Sequence, residues 1–421
     1  MELWITGATL VTQNSSREVR KAHLRIVDGS IAEIRRSAPA RFSKGARRID
    51  ASGLFVLPGF VQAHVHLCQT AFRNQADDLE LLDWLSQRIW KMEAAHTYSS
   101  LKKSAQTGIK ELLSSGTTCI LDMATVRHTE AVLEAVKESG IRANVGKCLM
   151  DHPEHTPESL RESTEKALNE ALKLYKKWNE TSDGRIRVSF APRFVISCTE
   201  KLLREIARIS AETGALIHTH ASENKKEIEW VKKVTGHENI HYLEHLGLAS
   251  SRLVLAHCVH PASGETEVLR RNGVHVAHCP SSNLKLASGI APIPEYLKQG
   301  INVALGADGA PCNNNLNIFN EMRLAALIQK PLHGPTCMRA PEVLDMATLG
   351  GAKALGWLDQ IGSIEVGKRA DLVAMNLNGI ENQVSGSDLE SIASSVVYSS
   401  QPAHVQWTMV NGRTVFRRKS F

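Results

Sequence analysis

The pattern of apolar and polar positions divides the chain into three parts. The first part, residues 1–57, carries short alternating runs typical of β-strands, and two of these runs, 23–27 and 30–34, flank the pair Asp28-Gly29. An Asp-Gly pair between alternating apolar residues predicts a hairpin, because both turn positions require positive φ. The N-terminal part is therefore predicted to be a small β unit.

Eight apolar segments in the middle part have the length of buried strands, and helical stretches separate them. The segments are 58–67, 117–123, 142–150, 185–195, 215–220, 253–259, 274–279 and 302–306. Helices are predicted between and after them, for example at 199–213 and 318–329. Apolar strands that alternate with helices indicate a parallel sheet. Eight such strands favour an α/β fold with a (β/α)8 barrel of the TIM type over an open sheet.

The last part of the chain returns to β character. An apolar run at 372–375 precedes a late hairpin around Asn411-Gly412, another turn that requires positive φ. Because both chain ends are β-rich, we expect them to assemble into one small discontinuous β-sandwich domain. The predicted domains are 1–57 for the N-terminal half of the β-sandwich, 58–361 for a metal-dependent catalytic barrel, and 362–421 for the C-terminal half of the β-sandwich.

Composition and charge exclude several classes of protein. The 421 residues are 43% hydrophobic and 22% charged, which is ordinary for a soluble globular chain. The net charge of +6 is interspersed with acidic residues, unlike the clustered basicity of a nucleic-acid-binding protein. The chain has no run of about eighteen apolar residues and no signal-peptide pattern. We expect a cytoplasmic homo-oligomer, a dimer or tetramer, that binds neither nucleic acid nor membrane.

The eight cysteines form no Cys-x-x-Cys pair, and five of them lie in or beside strand-like apolar runs. This distribution is typical of buried free thiols in a reducing compartment, and it does not indicate a disulfide framework or a thiolate metal site. Any metal ligands are therefore sought among histidine, aspartate and glutamate.

Polar side chains with catalytic chemistry stand where the predicted strands end. Active sites of (β/α)8 barrels lie at the carboxyl ends of the strands, so that this placement predicts function. The residues are His64 and His66 after the first strand, His218, His220 and Glu223 after the fifth, His257 after the sixth, His278 after the seventh, and Asp308 after the eighth. Five such strand endings in one chain predict an active site.

The spacing of the histidines predicts a metal site. Successive side chains of a strand alternate between faces, so that His64 and His66 point the same way and can reach one ion. Three neutral imidazoles and a carboxylate suit a divalent ion such as zinc, which makes water nucleophilic near neutral pH. His218 and His220 also share a face, and only one of them is needed as a ligand. A packing role or an outer hydrogen bond is favoured for His218.

A single ion is expected rather than two. The fourth strand segment, 185–195, offers no lysine that could become a bridging carbamate. Lys147 at the end of the third strand leaves this point open, because it could also pair with an acidic neighbour or neutralise a substrate carboxylate. The role of the loop around His260-Pro261 is left open as well.

Several of these motifs resemble those of the amidohydrolase superfamily, in its branch of adenosine-type, guanine and triazine aminohydrolases. The segments that carry the resemblance are Pro58–His66, Thr219–Glu223, His257, Gly306–Gly309 and Gly362–Leu372. Further segments are similar to the 5'-deoxyadenosine, methylthioadenosine and S-adenosylhomocysteine deaminases of this branch. They are Leu67–Thr70, Ala76–Leu85 and Cys279–Pro292. The resemblance spans almost the whole chain.

The resemblance implies a ligand set and a general base. His64, His66, His220 and Asp308 would hold one divalent ion, with zinc expected and iron or manganese as alternatives. Glu223 would take a proton from the attacking water and deliver it to the substrate ring, and Asp308 would accept the second proton.

The resemblance also implies a substrate site. His257 would orient the attacking water or the substrate, so that it joins Glu223 among the substrate-binding residues. Glu93 matches the family's glutamate that binds the ribose hydroxyls. Arg193 stands where many adenosylhomocysteine deaminases carry a substrate-contacting histidine, and recognition of the ring is therefore expected to differ.

The predicted function is a metal-dependent hydrolytic deaminase of adenine nucleosides, of the 5'-deoxyadenosine, methylthioadenosine or S-adenosylhomocysteine type. The products would be the inosine analogue and ammonia. A guanine or s-triazine amino- or chlorohydrolase is the alternative, and Glu93 distinguishes the two, because a ribose-binding carboxylate has no purpose for a free base. A non-catalytic metal- or nucleoside-binding protein is a third hypothesis. Glu223 argues against it, since metal binding alone does not require this residue.

The segment from Asp77 to Asp83 alternates acidic residues with leucines at helix-like spacing. This pattern predicts an amphipathic helix over the barrel mouth. Its apolar side, with Trp84, Leu85 and Trp90, is expected to form a lid.

Overall fold

A computed structural model describes residues 1–379, 384 and 388–419 of the chain. The chain divides into two compact units, of which the first comprises Met1–Gln62, Lys110–Cys119 and Asn317–Phe421, and the second comprises Ala63–Ile109 and Ile120–Leu316. The predicted boundaries at 57/58 and 361/362 stay a prediction. Residues 380–383, 385–387, 420 and 421 of the predicted C-terminal half lie outside the described residues.

The strands of both chain ends form one eight-stranded sheet. Its order is Arg413–Arg417, Val405–Val410, Leu372–Met375, Phe55–Pro58, Glu2–Val11, Val19–Val27 and Ser30–Arg35, and Arg47–Asp50 also pairs with Glu2–Val11. Asp28 and Gly29 have φ of 48° and 82°, and Asn411 and Gly412 have φ of 46° and 71°, so that both predicted turns are confirmed. Buried apolar residues from both ends, such as Leu24 and Met409, share one core.

The second sheet closes into a barrel of eight parallel strands. The strands are Phe60–His66, Thr117–Met123, Arg142–Leu149, Ile186–Pro192, Ile217–Ala221, Leu253–His257, His275–His278, and an eighth strand interrupted into Asn302–Leu305 and Asp308–Gly309. The eighth strand pairs with His275–His278 through its first piece and with Phe60–His66 through its second. The predicted barrel with a separate sheet domain is thereby confirmed.

Closure of the barrel requires a glycine in the interrupted eighth strand. A Cβ atom on Gly306 would lie 2.6 Å from the backbone oxygen of His64 and 2.9 Å from its Cβ. No side chain fits between the eighth strand and the first at this point. Gly306 therefore brings the end of the eighth strand, with Asp308, close to the histidines of the first strand.

Helices connect the barrel strands and pack outside them. They are Tyr98–Ser114, Thr129–Ser139, Thr164–Trp178, Glu200–Thr213, Lys225–Thr235, Asn239–His245, Glu265–Arg271, Pro280–Lys285, Ile293–Lys298 and Ala310–Asn313. The helix Glu200–Thr213 shows why they form: the Thr199 side chain accepts a hydrogen bond from the amide of Leu202, and Gly214 ends the helix with a φ of 76°. Its leucines and isoleucines are buried on one face.

The first unit has its own helices. They are Ile318–Ile328, Lys330–His333, Ala340–Asp345, Gly351–Ala354 and Leu389–Ser394, with single π or 3-10 turns at Met346–Gly350, Ser395–Ser399 and Pro402–His404. The helices predicted at 199–213 and 318–329 are thus confirmed within one residue at each end.

Two predictions from composition can be compared with the structure. All eight cysteines carry thiols that are not joined in disulfides, and seven of them are buried, as predicted. Within the described ranges, no helix has both the length and the apolar character needed to cross a membrane.

Candidate active site

Four side chains converge at the carboxyl ends of the barrel strands. The ligand atoms of His64, His66, His220 and Asp308 lie within 4.8 Å of one another, and all four residues are buried. Nε2 of His64 and Nε2 of His66 lie 3.2 and 3.4 Å from Oδ1 of Asp308. The structure therefore brings together the four residues that the resemblance implied as a ligand set. These four residues are called the ligand cluster below.

Hydrogen bonds to backbone carbonyls orient two of these imidazoles. Nδ1 of His66 donates to the oxygen of Met123 at 2.9 Å, and Nδ1 of His220 donates to the oxygen of Arg193 at 2.6 Å. With the proton on Nδ1, the lone pair of each Nε2 faces the cluster. The two Nε2 atoms lie 3.3 Å apart, where two lone pairs repel unless a cation lies between them.

The imidazole of His64 is oriented by a second histidine, His218. Nδ1 of His64 and Nε2 of His218 are 2.8 Å apart. Because His64 faces the cluster through Nε2, its Nδ1 donates and His218 accepts. His218 therefore lies outside the four-residue cluster, in the outer hydrogen-bonding position that the sequence favoured.

The donor set fits a divalent ion. Burial lowers the pKa of His66 to about 3, with the charge of His64 adding to the shift, and burial also lowers the pKa of His220 well below its usual value. Neutral imidazoles present lone pairs, and Nε2 of His64 is buried without a hydrogen-bond partner among the described residues. Three such nitrogens and one carboxylate match the ligands of catalytic zinc. A bound divalent ion supplies Lewis-acid activation of a water molecule.

Asp308 is held in its ionised form. Burial opposes ionisation, but the neighbouring imidazoles of His64 and His257 lower its pKa well below its usual value. The Ser282 hydroxyl donates to Oδ2 at 2.6 Å, and the Gly309 amide donates to Oδ1 at 2.8 Å. These two donors fix the orientation of the carboxylate.

His257 lies between the cluster and Glu223. Its Nδ1 is 2.8 Å from Oδ1 of Asn283, which can only accept, so that Nδ1 carries the proton. Its Nε2 is 3.4 Å from Oε2 of Glu223 and 3.8 Å from Oδ2 of Asp308. His257 therefore places Nε2 beside the two carboxyl groups.

Glu223 is a buried carboxyl group with a raised pKa. Burial raises its pKa well above the usual value, and the nearby charges of Asp308 and Glu227 raise it further. The Ser288 hydroxyl is 3.4 Å from Oε1. A raised pKa suits a group that takes and returns a proton near neutral pH.

The backbone turns sharply where two of these side chains enter the site. His257 and Asp308 have φ of 74° and 61°, in the left-handed region that only glycine adopts freely. Such conformations cost about 1–3 kcal/mol each and persist where the surrounding structure enforces them, most often at functional sites. No feature of the sequence signals these two conformations.

Glu93 and Arg193, the two residues that the resemblance assigned to substrate binding, contact each other. Nη1 and Nη2 of Arg193 donate to Oε2 and Oε1 of Glu93 at 2.5 and 3.2 Å, and Nε2 of Gln69 donates to Oε1 at 2.9 Å. All three side chains are buried. The sequence predicted neither this ion pair nor the participation of Gln69.

The amine of Lys147 is already bound in a buried ion pair and is not available to ligate a second metal ion. Its Nζ donates to Oε2 of Glu162 at 2.6 Å and to the oxygen of Val126 at 2.5 Å, and the side chain is buried. Of the roles left open for Lys147, pairing with an acidic neighbour is the one that the structure contains. His278 is also buried outside the ligand cluster, and neither of its ring nitrogens has a hydrogen-bond partner within the part of the chain that is described.

A small cavity of about 10 Å³ lies over the cluster. Its lining contains three residues of the cluster, His66, His220 and Asp308, the polar residues Glu223, His257, Gln69 and Arg193, and the apolar residues Leu81, Trp84, Leu85, Phe194 and Leu286. The residues predicted as catalytic and substrate-binding are therefore gathered around one cavity, with Glu93 behind Arg193 and Gln69.

Three residues that hold side chains of the candidate site in place were assigned no role from the sequence. Gln69 supports Glu93, Ser282 supports Asp308, and Asn283 supports His257. Their common signal is position, because each follows a barrel strand within a few residues, where polar side chains reach the mouth.

A barrel that brings three imidazoles, one carboxylate and a buried glutamate together at its strand ends has the composition of a metal-dependent hydrolase site. A family profile described as "Amidohydrolase family" matches residues 55–415. The chain belongs to the amidohydrolase family, which confirms the resemblance and the predicted class of enzyme.

Curated relatives match nearly the whole chain. A 5-methylthioadenosine/S-adenosylhomocysteine deaminase of Pelotomaculum thermopropionicum is 36% identical, over 99% of this chain and 93% of the relative. A 5'-deoxyadenosine deaminase of Methanobrevibacter smithii is 38% identical, over 99% of this chain and 92% of the relative. The chain is thus similar to deaminases in both units.

Solved structures of deaminases are also similar to this chain over nearly its whole length. An adenosine deaminase from Xanthomonas campestris with bound zinc has a TM-score of 0.90 and 31% identity, over 98% of this chain and 92% of that one. A guanine deaminase from C. acetobutylicum with bound guanine has a TM-score of 0.90 and 28% identity, over 99% of this chain and 100% of that one. The barrel and the separate sheet domain are therefore shared with known deaminases.

Proposed function

We propose that this protein is a hydrolytic deaminase of adenine nucleosides, which converts 5'-deoxyadenosine, methylthioadenosine or S-adenosylhomocysteine to the inosine analogue and ammonia. The observation that carries the proposal is the buried pair Glu223–His257, with 3.4 Å between Oε2 and Nε2, directly beside the four-ligand cluster. A metal-binding protein without catalysis has no need of this pair. The relatives named as deaminases of these nucleosides support the choice of substrate.

His64, His66, His220 and Asp308 are proposed as ligands of one divalent ion, with zinc first and iron or manganese as alternatives. The zinc bound to the Xanthomonas campestris neighbour supports this order. A cytoplasmic location and assembly as a dimer or tetramer are retained as predictions from the sequence.

The residues of the site supply the proton transfers. Glu223 removes one proton from the attacking water and delivers it to N1 of the adenine ring, while the water oxygen bonds to C6. His257, fixed by Asn283, orients that water with its free Nε2. Asp308 takes the second proton and passes it to the leaving 6-amino group, so that ammonia departs as the bond from C6 to nitrogen breaks. One water and one nucleoside thus give one 6-oxo nucleoside and one ammonia.

Glu93 and Arg193 are proposed as the substrate-binding pair. Oε2 of Glu93 accepts one hydrogen bond from Arg193, which leaves capacity for a further bond from a ribose hydroxyl. Arg193 lines the cavity and presents only donors, so that it suits an acceptor atom on the ring or the sugar.

A second candidate function is deamination or dechlorination of a free heterocycle such as guanine or an s-triazine. The observation that favours it is the same ion pair, because both oxygens of Glu93 already accept hydrogen bonds from Arg193 and Gln69. A carboxylate so occupied has less capacity for two ribose hydroxyls. The guanine deaminase among the structural neighbours supports this candidate.

Turnover by the zinc-loaded protein tests both candidates. We expect loss of adenine absorbance and release of ammonia with at least one of 5'-deoxyadenosine, methylthioadenosine and S-adenosylhomocysteine. Guanine and an aminotriazine serve as the matched free heterocycles. No turnover of any nucleoside, with turnover of guanine or the triazine, would replace the first candidate by the second.

A further inference from the structure

The cavity over the cluster is too small for any substrate considered above. Its volume of about 10 Å³ holds a single water molecule. Sites for small organic ligands measure on the order of 300–1,000 Å³. Part of the cavity wall must therefore move before a heterocycle reaches the ligand cluster.

The inner wall is poorly suited to such a movement. His66, His220 and Asp308 stand on barrel strands and are each fixed by hydrogen bonds to backbone or hydroxyl groups. Displacing them would break several buried hydrogen bonds at once.

The outer wall is a short helical segment, with three consecutive pieces at Leu81–Trp84, Leu85–Ile89 and Trp90–Ala94. Its side chains Leu81, Trp84 and Leu85 line the cavity, while Asp83 and Ser86 are exposed on the other face. The middle piece is a π-helical turn, an irregularity that is frequent at functional sites. One layer of helix thus separates the cluster from solvent at this point.

Two surface ion pairs connect this segment to the rest of the barrel mouth. Glu80, at the start of the segment, pairs with Lys226 at 2.5 Å, and Asp77 pairs with Lys285. Lys226 follows the fifth barrel strand and Lys285 follows the seventh, so that the two pairs connect the segment to two different strand ends. Surface pairs of this kind contribute little individually and weaken with salt, which suits a reversible latch.

The chain before the helix offers hinge positions. Asn74 and Asp78 have φ of 62° and 59°, in the left-handed region. Asparagine and aspartate tolerate this region better than other side chains, and hinges are usually a few loop residues that absorb a change of φ and ψ.

Trp84 is the side chain best placed to contact a bound ring. It is buried, and its Nε1 has no hydrogen-bond partner among the residues that the structure describes. The other aromatic of the cavity, Phe194, already stacks on His220 with a ring distance of 4.4 Å and an interplanar angle of 17°. Of the two residues Trp84 and Phe194, Trp84 is therefore the one whose ring is available to a bound heterocycle, and it stands on the wall that must move.

We propose that residues 77–94 form a lid, with the pairs Asp77–Lys285 and Glu80–Lys226 as its latches, which opens to admit the substrate and closes Trp84 onto the heterocycle. The existence of the lid does not depend on which heterocycle is bound. The contact of Trp84 with an adenine ring rests on the proposed function.

Amide hydrogen exchange of the zinc-loaded protein without substrate tests the latches. In the double variant Asp77→Asn/Glu80→Gln, peptides from 77–94 should exchange about 2- to 10-fold faster than in the unaltered protein. Added salt should accelerate the same peptides in the unaltered protein and have less effect in the variant. Glu165→Gln, which removes the exposed pair with Lys201, is the matched control and should leave these peptides unchanged. Equal exchange in the double variant and the unaltered protein would overturn the latches.

Substitution of Trp84 tests the contact with the ring. Stacking of a base on an aromatic side chain contributes a factor of about 10 to 100 in affinity. Trp84→Leu should raise KM for 5'-deoxyadenosine by about that factor, and Trp84→Phe should recover most of the loss. The intrinsic fluorescence of Trp84, taken as the difference from Trp84→Phe, should become less accessible to acrylamide when nucleoside binds. An unchanged KM in both variants, or unchanged quenching, would overturn the contact. If no nucleoside is turned over, the proposed function fails, and hydrogen exchange still decides the lid.

Discussion

The four residues proposed as metal ligands and the Glu93–Arg193 pair lie around the same barrel mouth, but they are held in place differently. The imidazoles of His66 and His220 are oriented by backbone carbonyls, which no substitution removes. Glu93 and Arg193 are oriented mainly by each other, through two hydrogen bonds between their side chains. The orientation of the proposed metal ligands therefore depends on the barrel itself, whereas the orientation of Glu93 and Arg193 depends on both partners being present.

The largest effect is expected from breaking the buried pair on one side. Arg193→Gln leaves the Glu93 carboxylate buried without its cation, which should lower the free energy of unfolding by about 3–5 kcal/mol. The double variant Glu93→Gln/Arg193→Gln removes both charges and should recover most of this loss. Urea unfolding of the unaltered protein, the single variants Arg193→Gln and Glu93→Gln, and the double variant measures the coupling.

Arg204→Gln is the control, because Arg204 and Glu200 form an exposed pair with side chains 46% and 55% accessible. Its effect should stay below about 1 kcal/mol. Strictly additive effects of the two buried substitutions would contradict the view that Glu93 and Arg193 act as one unit.

Unlike Glu93, the buried carboxyl group of Asp122 has no cationic partner among the described residues, and its effect on stability should depend on pH. Oδ1 of Asp122 accepts from the Leu67 amide at 2.8 Å, Oδ2 has no partner among the described residues, and burial raises its pKa to about 7. Because this pKa lies above the unfolded value of about 4, folding is penalised increasingly as the pH rises from about 4 to about 7.

Asp122→Asn removes the charge and keeps an acceptor for Leu67. Relative to the unaltered protein, the variant should gain a few kcal/mol in unfolding free energy between pH 4 and pH 7, at about 1.4 kcal/mol per pH unit. Urea unfolding at several pH values measures this gain. A difference that does not change with pH would show that Asp122 stays ionised throughout.

A smaller effect is expected from removing an outer hydrogen bond of the ligand cluster. His218 is the partner of His64 at 2.8 Å, and loss of such partners typically weakens metal binding by about 10- to 100-fold. We therefore expect His218→Leu to raise the Kd for zinc by this factor in a competition with a chromophoric chelator. His278→Leu, at a buried barrel histidine outside the cluster, should leave the Kd unchanged. Equal affinities in the two variants would contradict the orienting role of His218.

Much of the fold and the ligand cluster was predictable from the sequence, for two physical reasons. Apolar strands separated by helices restrict the chain to a parallel sheet, and the strand-end rule of such barrels identifies where His64, His66, His220 and Asp308 belong. Alternation along a strand then brings His64 and His66 to one side. These inferences use local pattern and the barrel topology. The choice of these four residues among all the polar residues at the strand ends came from the resemblance to the amidohydrolase superfamily.

The remaining features depend on contacts between distant segments. Glu93 and Arg193 are 100 positions apart, and nothing local indicates that they form an ion pair. The left-handed conformations of His257 and Asp308 are enforced by packing and not by residue type, since neither position carries a glycine. From the sequence, Ser282 and Asn283 could be recognised only as polar residues that follow a strand. Their hydrogen bonds to Asp308 and His257 could not be predicted.

The proposed function depends on proton transfer by Glu223 beside the proposed metal site, and the variant Glu223→Gln isolates that step. In Glu223→Gln, zinc content and binding of 5'-deoxyadenosine should stay near those of the unaltered protein, because Glu223 is not among the four ligands. Turnover should fall by about 10²-fold or more, the usual scale of lost general acid–base catalysis. Turnover within a few-fold of the unaltered protein, with zinc retained, would contradict the claim and assign the proton transfer to another group.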